Sequence, residues 1–403
     1  MIPLFSSFAQ RTGIVLFFLA APPSLGRDIV AAMPSLPTGF STAPAIARAL
    51  SGGEDLGGLD LTLRLLTLHD SNVTQQSEEA QSDWLITPSL HASYLLGNSL
   101  WELGSRATLE RDTYLDRSDF NATNYSLNLF GGYHSDKVVA SVTSGIASTA
   151  GVNRFTNGFT EQFSYKSGLI ARYHFSGKTS LLASWDQRTT ESQTTGLGDT
   201  SSKTAGLSAL WQATPLLSLG PGFRHGTRTG VDDEEFTLMG PTLHLAYQLS
   251  TKVKLRSSFG LDESDSPFSK SDTLLNWSFA LSYQASIFWG FDLETIRDTQ
   301  ASLTQGGGFD EITSYKLNYW RKIRRARAAL GISYEDRTPT DSLRTDVGIR
   351  DSSYLTLSAA LTFPIYKDEA DLTLNVLWRD QSALDSRFSW EGLQTGIGVQ
   401  WRF

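Results

Sequence analysis

The sequence lacks cysteine altogether, in a chain of 403 residues. This absence excludes a disulfide framework, cysteine-ligated metal sites, thiol catalysis and a lipid anchor carried by cysteine. An excess of basic charge is also lacking, because the formal net charge is −8. Nucleic acid is therefore not an expected partner.

Short motifs that mark common enzymes are missing as well. The chain has no G-x-S-x-G, no H-E-x-x-H and no P-loop, and its six histidines lack the spacing of metal ligands. We expect no catalytic residue, no cofactor and no metal site. One histidine, His225, shares parity with apolar Leu217, Leu219 and Phe223. Its placement leaves a membrane-embedded hydrolase or lipid-modifying enzyme open as an alternative.

The chain has only one long apolar run, from Gly13 to Ala21. This run is too short to cross a bilayer as a helix, which needs about 20 residues. Arg11 precedes it, small residues follow, and Ser24-Leu25-Gly26 is a plausible cleavage site, which is the pattern of an export signal. We expect residues 1–26 to be a signal peptide. The prolines and glycines of residues 27–57 predict a flexible periplasmic lead-in or a small plug.

The last eleven residues alternate strictly between apolar and polar side chains. Leu393, Ile397 and Trp401 lie on one face of a strand, together with the terminal Phe403, while glycine, glutamine and arginine occupy the other. A final strand that ends in phenylalanine resembles the C-terminal sorting signal of outer-membrane barrels. We assign Trp401 and Phe403 to that signal, which the barrel-assembly machinery would bind.

Weaker alternation recurs back to residue 58, in segments of about 10–14 residues separated by turn residues. We predict strands at 58–69, 83–96, 99–112, 122–134, 138–149, 161–175, 179–189, 203–213, 216–228, 235–249, 252–263, 273–284, 287–299, 311–321, 325–337, 351–365, 371–380 and 388–403. Short and longer connections alternate, as in bacterial barrels with short periplasmic turns and longer outside loops. Residues 58–403 are therefore predicted to form an all-β, antiparallel transmembrane barrel of about 18 strands, with 16 as the alternative count.

Soluble β-sandwiches and propellers also contain regularly spaced strands. Soluble strands average about 5–6 residues, however, and propeller blades require a repeat of about 40–50 residues that this chain lacks. A tilted membrane-spanning strand needs about 9–11 residues, which the predicted segments supply.

Strand parity assigns a set of charged side chains to the lumen. The lining residues predicted in this way are Arg64, Glu102, Arg106, Lys166, Arg172, Arg188, Arg224, Arg256, Asp292, Glu294, Lys316 and Arg379. Both signs are present, with a moderate basic excess. Such charges pair across strands to form a hydrated wall, or they favour anionic solutes where they converge at a constriction. No predicted outside loop exceeds about a dozen residues, so we expect no loop to fold deeply into the lumen.

One local pattern resembles a known family. Asp70-Ser71-Asn72-Val73 follows the first strand, and Ser82-Asp83-Trp84 opens a second strand that contains Pro88-Ser89-Leu90. These steps, with the strand that starts at Asn121, are similar to the β-barrel porin 2 family. The resemblance implies polysaccharide passage or general porin activity, and a polysaccharide export system as partner. We interpret Asp70 and Asn72 themselves as loop-capping groups.

The sequence thus predicts a porin-like channel in the outer membrane of a Gram-negative cell, in contact with lipid and lipopolysaccharide. It would pass solutes or an exopolysaccharide through a hydrated lumen of mixed charge. The embedded enzyme and a closed barrel that anchors other envelope components are the alternatives.

Overall fold

The computed structural model describes residues 56–403 except 195–196, 231–234, 267–268, 303–308, 341–350 and 368. The predicted signal peptide at 1–26 lies outside these residues, as does the predicted lead-in or plug at 27–57 apart from its last two positions. Within the described ranges, no helix is long and apolar enough to cross a membrane.

The chain forms a single sheet of 18 strands. Their bounds are β1 Leu56–Asp70, β2 Asp83–Gly97, β3 Trp101–Tyr114, β4 Ala122–His134, β5 Val138–Asn153, β6 Gly158–His174, β7 Thr179–Ser192, β8 Thr200–Thr214, β9 Leu217–Thr229, β10 Glu235–Gln248, β11 Val253–Ser266, β12 Ser269–Ser286, β13 Trp289–Ala301, β14 Phe309–Ile323, β15 Ala326–Pro339, β16 Ser352–Tyr366, β17 Ala370–Ala383 and β18 Trp390–Arg402. Two short 3-10 turns, Ser118–Phe120 and Ser386–Phe388, lie in connections.

Each strand pairs with the next one in antiparallel register, and β18 closes the sheet against β1. Closure pairs Thr62 with Arg402 at one end of the seam and Asp70 with Gln394 at the other. The sheet therefore has no free edge and forms a barrel. The predicted 18-stranded antiparallel barrel is confirmed, and the soluble sandwich and propeller interpretations are wrong.

The connections differ between the two ends of the barrel. Short links such as 98–100, 135–137 and 324–325 join strands at the end where β1 begins and β18 finishes, which we call the turn end. Longer links such as 71–82 and 115–121 lie at the opposite, loop end. The even strand number places both ends of the barrel sequence at the turn end.

The two faces of the wall differ as the alternation predicts. Along β1, Leu63 and Leu65 point outward and are 47% and 49% exposed, whereas Arg64 between them points inward and is 5% exposed. Exposed aromatic side chains on the outer surface cluster at strand ends near the turn end, namely Tyr94, Trp101, Tyr133, Tyr173, Trp211, Trp289, Tyr366 and Trp401. An apolar outer surface with an aromatic girdle is the arrangement of membrane barrels.

The hairpin between β5 and β6 folds into the barrel instead of standing above it. Every residue from 148 to 155 is buried, so alternation of exposure ends in this part of the chain. A tight turn forms at the tip, where Asn157 adopts a φ of 51° and donates its backbone N–H to the carbonyl of Asn153 at 2.8 Å. The expectation that no loop folds deeply into the lumen is therefore wrong.

The wall also bends sharply around β8–β13. Strands β8 and β9 come into contact with β13, several strands further along the sheet. Glycines on the inward face allow adjacent strands to curve tightly here, because a Cβ at Gly220 or Gly240 would lie 1.9 Å from a backbone carbonyl oxygen of the neighbouring strand. The bend brings charged side chains of β9, β11 and β13 together inside the barrel.

Candidate functional site

The candidate site is the lumen, and the structure places all the predicted lining residues on its wall. Their register partners are themselves inward-facing, for example Ser89 opposite Arg64 and Gly392 opposite Arg379. These residues all lie on the inner wall, but they differ in their ion pairing. Some are buried in ion pairs, and others have no acidic partner within ion-pair distance.

Arg379 is the most enclosed cation of the wall. Its side chain is 2% exposed, donates to both carboxylate oxygens of Asp70 at 2.8 Å, and lies over the Trp390 ring at 5.3 Å. Gln394 donates to the same carboxylate at 2.7 Å. Because Asp70 ends β1 and Gln394 belongs to β18, this network joins β17 to the seam of the barrel at the loop end.

The folded-in hairpin tip supplies a second buried cluster. Arg154 forms an ion pair with Glu335 on β15 and stacks over the Tyr354 ring of β16 at 4.5 Å. Arg337 lies over the Phe155 ring at 4.6 Å. The tip residues 154–157 thus contact strands β15 and β16, which face β5 and β6 from another part of the wall.

Hydrogen bonds from outside the hairpin hold the tip in place. Gln381 on β17 donates to the Arg154 carbonyl at 2.9 Å, and Gln75 of the 71–82 loop approaches the Val152 carbonyl at 3.4 Å. Val152 also packs with Val73 and Phe120 in an apolar cluster. The tip is therefore fixed from both sides and narrows the loop end of the lumen.

A third ion-pair network lies at the bend of the wall. Arg224 on β9 donates through Nε to Asp262 on β11 at 2.8 and 3.0 Å, and through a terminal nitrogen to Asp298 on β13 at 3.0 Å. Arg228 lies 3.5 Å from the same Asp298 carboxylate. Asp262 is 1% exposed, so Arg224 serves to neutralise a buried carboxylate.

Other predicted lining cations have no such partner. Lys166 on β6 and Arg188 on β7 are direct register partners, and no carboxylate within the described residues lies within ion-pair distance of either. Arg106 on β3 contacts the Phe130 ring at 5.6 Å and likewise forms no ion pair. One terminal nitrogen of buried Arg64 has no hydrogen-bond partner among residues 56–403 as far as these are described. Arg106, Lys166 and Arg188 are only partly buried and remain available to a solute, whereas Arg64 is enclosed by the wall.

The remaining predicted residues are distributed around the wall. Lys316 pairs in register with Glu294. Asp292 is the next inward-facing residue of β13 towards the turn end. Glu102 is buried at the turn end, against Gly132. Arg172 and Arg256 also point inward, on β6 and β11. The structure therefore does not gather the predicted residues into one ring.

The family-like segment after β1 acts as a loop cap. Asp70 accepts the Asn72 backbone N–H at 3.0 Å, and the Asn72 side chain donates to the carbonyls of Gln76 and Glu391 at 2.9 and 2.8 Å. The capping interpretation is confirmed. The sequence did not predict that Asp70 also neutralises Arg379, more than 300 residues away in the chain.

Two exposed loop carboxylates have pKa values below their ordinary range. A side-chain hydrogen bond from Arg387 lowers the pKa of Asp385, and Arg117 lowers that of Asp119 in the same way. Both pairs lie in loops at the loop end, where solvent screens them. They therefore organise their own loops and leave the lumen unaffected.

Among the described residues, the histidines belong to no metal site and to no catalytic group. No group of three or more His, Cys, Asp or Glu residues among them could hold a metal ion. His225 faces outward between its register partners Ala205 and Met239, which carry neither a hydroxyl nor a carboxylate group.

Comparison with known proteins returns similar folds only. No protein family matches the chain, and no curated protein matches it. Among solved structures, the outer membrane protein opdK from Pseudomonas aeruginosa is 12% identical with a TM-score of 0.45, over 86% of this chain and 98% of opdK. The copper transporter OprC is 10% identical with a TM-score of 0.46, over 86% and 81% of the two chains. The FrpB iron transporter of Neisseria meningitidis, F3-3 variant, is 10% identical with a TM-score of 0.46, over 88% and 82%. At these values the similarities carry no functional conclusion for this chain.

Proposed function

We propose that this chain is an outer-membrane channel of a Gram-negative cell, through which solutes diffuse along a hydrated lumen of mixed charge. The main support is that the outer and inner faces of the closed 18-stranded wall differ in polarity. The outer face exposes leucine, tyrosine and tryptophan side chains, and the inner face carries cations that find no ion-pair partner in the described part of the chain. A surface so apolar is stable in lipid, and closure of the sheet into a barrel satisfies the backbone groups of every strand there.

In this proposal the turn end faces the periplasm and the loop end faces outward, as in other bacterial barrels. Lipid and lipopolysaccharide cover the apolar face, and the barrel-assembly machinery binds β18 through Trp401 and Phe403, which are 45% and 71% exposed. The family resemblance extends the proposal to passage of an exopolysaccharide delivered by an export system. The residues 154–157 then set the narrowest point near the outside.

A second candidate, a closed barrel that anchors other envelope components, is favoured by one observation. The hairpin tip crosses to β15 and β16 and joins buried ion pairs there, which narrows the loop end. The embedded enzyme has less support, because the register neighbours of His225 carry no catalytic group.

Single-channel recording separates these proposals. The chain without residues 1–26 would be folded, verified by heat-modifiable gel mobility, and inserted into a planar bilayer. Stable ohmic conductance supports the channel. Conductance that appears only after residues 27–55 are also deleted would identify that segment as a plug. A folded protein that conducts in neither form would contradict the channel and favour the closed barrel.

A further inference from the structure

Three cations that form no ion pair with the described residues, Arg106, Lys166 and Arg188, lie along one register row of the sheet. Arg106 on β3 is paired with Asn128 on β4, which is paired with Gly145 on β5. The same row continues through Lys166 on β6, Arg188 on β7, Ser202 on β8 and Arg228 on β9. We call these seven residues the basic row. It contains four cations and no acidic residue, and of these cations Arg228 is already paired with Asp298 of β13.

The basic row climbs the inner wall. Arg106 lies in the half of β3 nearer the turn end, Lys166 lies near the middle of β6, and Arg228 is the penultimate residue of β9 at the loop end. This ascent follows from the tilt of strands in a barrel. With neighbouring strands about 4.8 Å apart, the row from Arg106 to Arg228 spans about 29 Å. An extended ligand could therefore touch several of its positions at once.

The two cations at the centre of the basic row repel each other, which destabilises the folded barrel. Like charges directly opposite each other on paired strands repel, and Lys166 and Arg188 occupy such positions. Asp186 on the adjacent row interacts with both cations electrostatically but forms no ion pair with either. Violations of a local pairing rule of this kind are expected at functional positions.

Glycine opens the space beside this pair. Gly145 is the other register partner of Lys166, and a Cβ at Gly145 would lie 2.4 Å from the Asn128 side-chain oxygen. The absence of a Cβ lets the Asn128 amide extend over β5 towards Lys166. An amide, an ammonium and a guanidinium group thus lie along one stretch of wall.

A second row, one register step nearer the loop end, carries hydroxyl groups. It passes through Thr108, Ser126, Ala147, Ser164, Thr190 and Thr200 on strands β3 to β8. We call it the hydroxyl row. Cations flanked by a line of neutral hydroxyl groups match a ligand that has both negative charges and many hydroxyl groups.

We propose that the basic row binds an acidic oligosaccharide, with carboxylates on Lys166 and Arg188 and sugar hydroxyl groups along the hydroxyl row. This inference rests on the proposed channel for its biological meaning, since the ligand would be a solute in transit. The binding itself needs no ion flow and can be measured separately.

The test is calorimetric titration of the folded full chain in detergent with trigalacturonic acid at low ionic strength. Maltotriose serves as the neutral probe and galacturonic acid as the single-charge probe. The variant Lys166→Gln/Arg188→Gln removes the central pair of cations. Lys254→Gln is the matched control, because Lys254 is an inward cation on β11 that lies off the basic row.

We expect trigalacturonic acid to bind the wild type and the Lys254→Gln variant alike, and the double variant about tenfold more weakly. Maltotriose and galacturonic acid should bind more weakly than trigalacturonic acid. Absence of binding, equal binding by all variants, or equal binding of the three probes would overturn the inference. A chain that binds but never conducts would contradict the channel alone, and one that conducts without binding would contradict the basic row alone.

Discussion

Arginine and lysine side chains behave differently in two regions of the same inner wall. In the region formed by β15–β18 and the hairpin tip, Arg379, Arg154 and Arg337 each bind a carboxylate and contact an aromatic ring. On β3–β7, Arg106, Lys166 and Arg188 form no ion pair with any residue that the structure describes. The first group neutralises buried charge and joins distant strands, and the second leaves its charge to the lumen. The same residue type therefore serves structure in one region and solute contact in the other.

The largest effect is expected from Arg379→Met. This change leaves the Asp70 carboxylate buried without its cation, and breaking a buried pair costs about 3–5 kcal/mol. Guanidinium titration in lipid vesicles, followed by tryptophan fluorescence, would measure the loss. Arg188→Met is the matched control on the other region, and its midpoint should stay near that of the wild type. Equal unfolding midpoints for the two variants would contradict the distinction between paired and unpaired cations.

A smaller effect is expected at the hairpin tip. The double variant Arg154→Ser/Phe155→Ser removes the side chains that contact Tyr354 and Arg337 across the lumen. Single-channel conductance should rise by about twofold or more, because the narrowing depends on these side chains. Arg387→Ala, at an exposed position of the same end, should leave conductance unchanged. An unchanged conductance in the tip variant would place the narrowest point elsewhere.

The smallest effect is expected from the exposed pair of Arg387 and Asp385. The pKa of Asp385 is lowered by the hydrogen bond from Arg387, so any contribution to stability is present above the ordinary pKa of aspartate and lost as the pH falls through the lowered value. Because the Arg387 side chain is exposed, solvent screening should make this contribution undetectable. Unfolding midpoints measured across acidic pH should therefore coincide for the wild type and Arg387→Ala. If the unfolding midpoint fell with pH in the wild type alone, the pair of Arg387 and Asp385 would contribute measurably to stability.

Much of the fold and the placement of the lumen residues could be predicted from the sequence, because both follow from strand periodicity. Side chains in a strand alternate between faces, so the parity of Leu63, Arg64 and Leu65 already separates lipid from lumen. Strand number and inward placement followed from that period. The basic excess of the lumen was also visible, although its division into paired and unpaired cations was not.

Contacts between distant strands escaped prediction because they depend on closure and bending of the sheet. Arg224 reaches Asp298 only because the wall bends between β9 and β13, and no local pattern records that bend. The direction of the hairpin tip was missed for a related reason, since its length resembles that of an ordinary loop. One signal was available. Small residues such as Ala147, Ala150 and Gly151 occupy both faces there, so the alternation required of a lipid-facing strand is lost.

The central claim is that unpaired cations of the basic row act on solutes. The most direct measurement is the reversal potential of the open channel in a potassium chloride gradient, for the wild type, Lys166→Gln/Arg188→Gln and Lys254→Gln. A charge at 4 Å contributes about 1 kcal/mol even in bulk water, which corresponds to about fivefold in relative permeability. We predict that the wild type prefers chloride, that the double variant loses about fivefold of this preference, and that Lys254→Gln changes little. A double variant with the selectivity of the wild type would contradict the account.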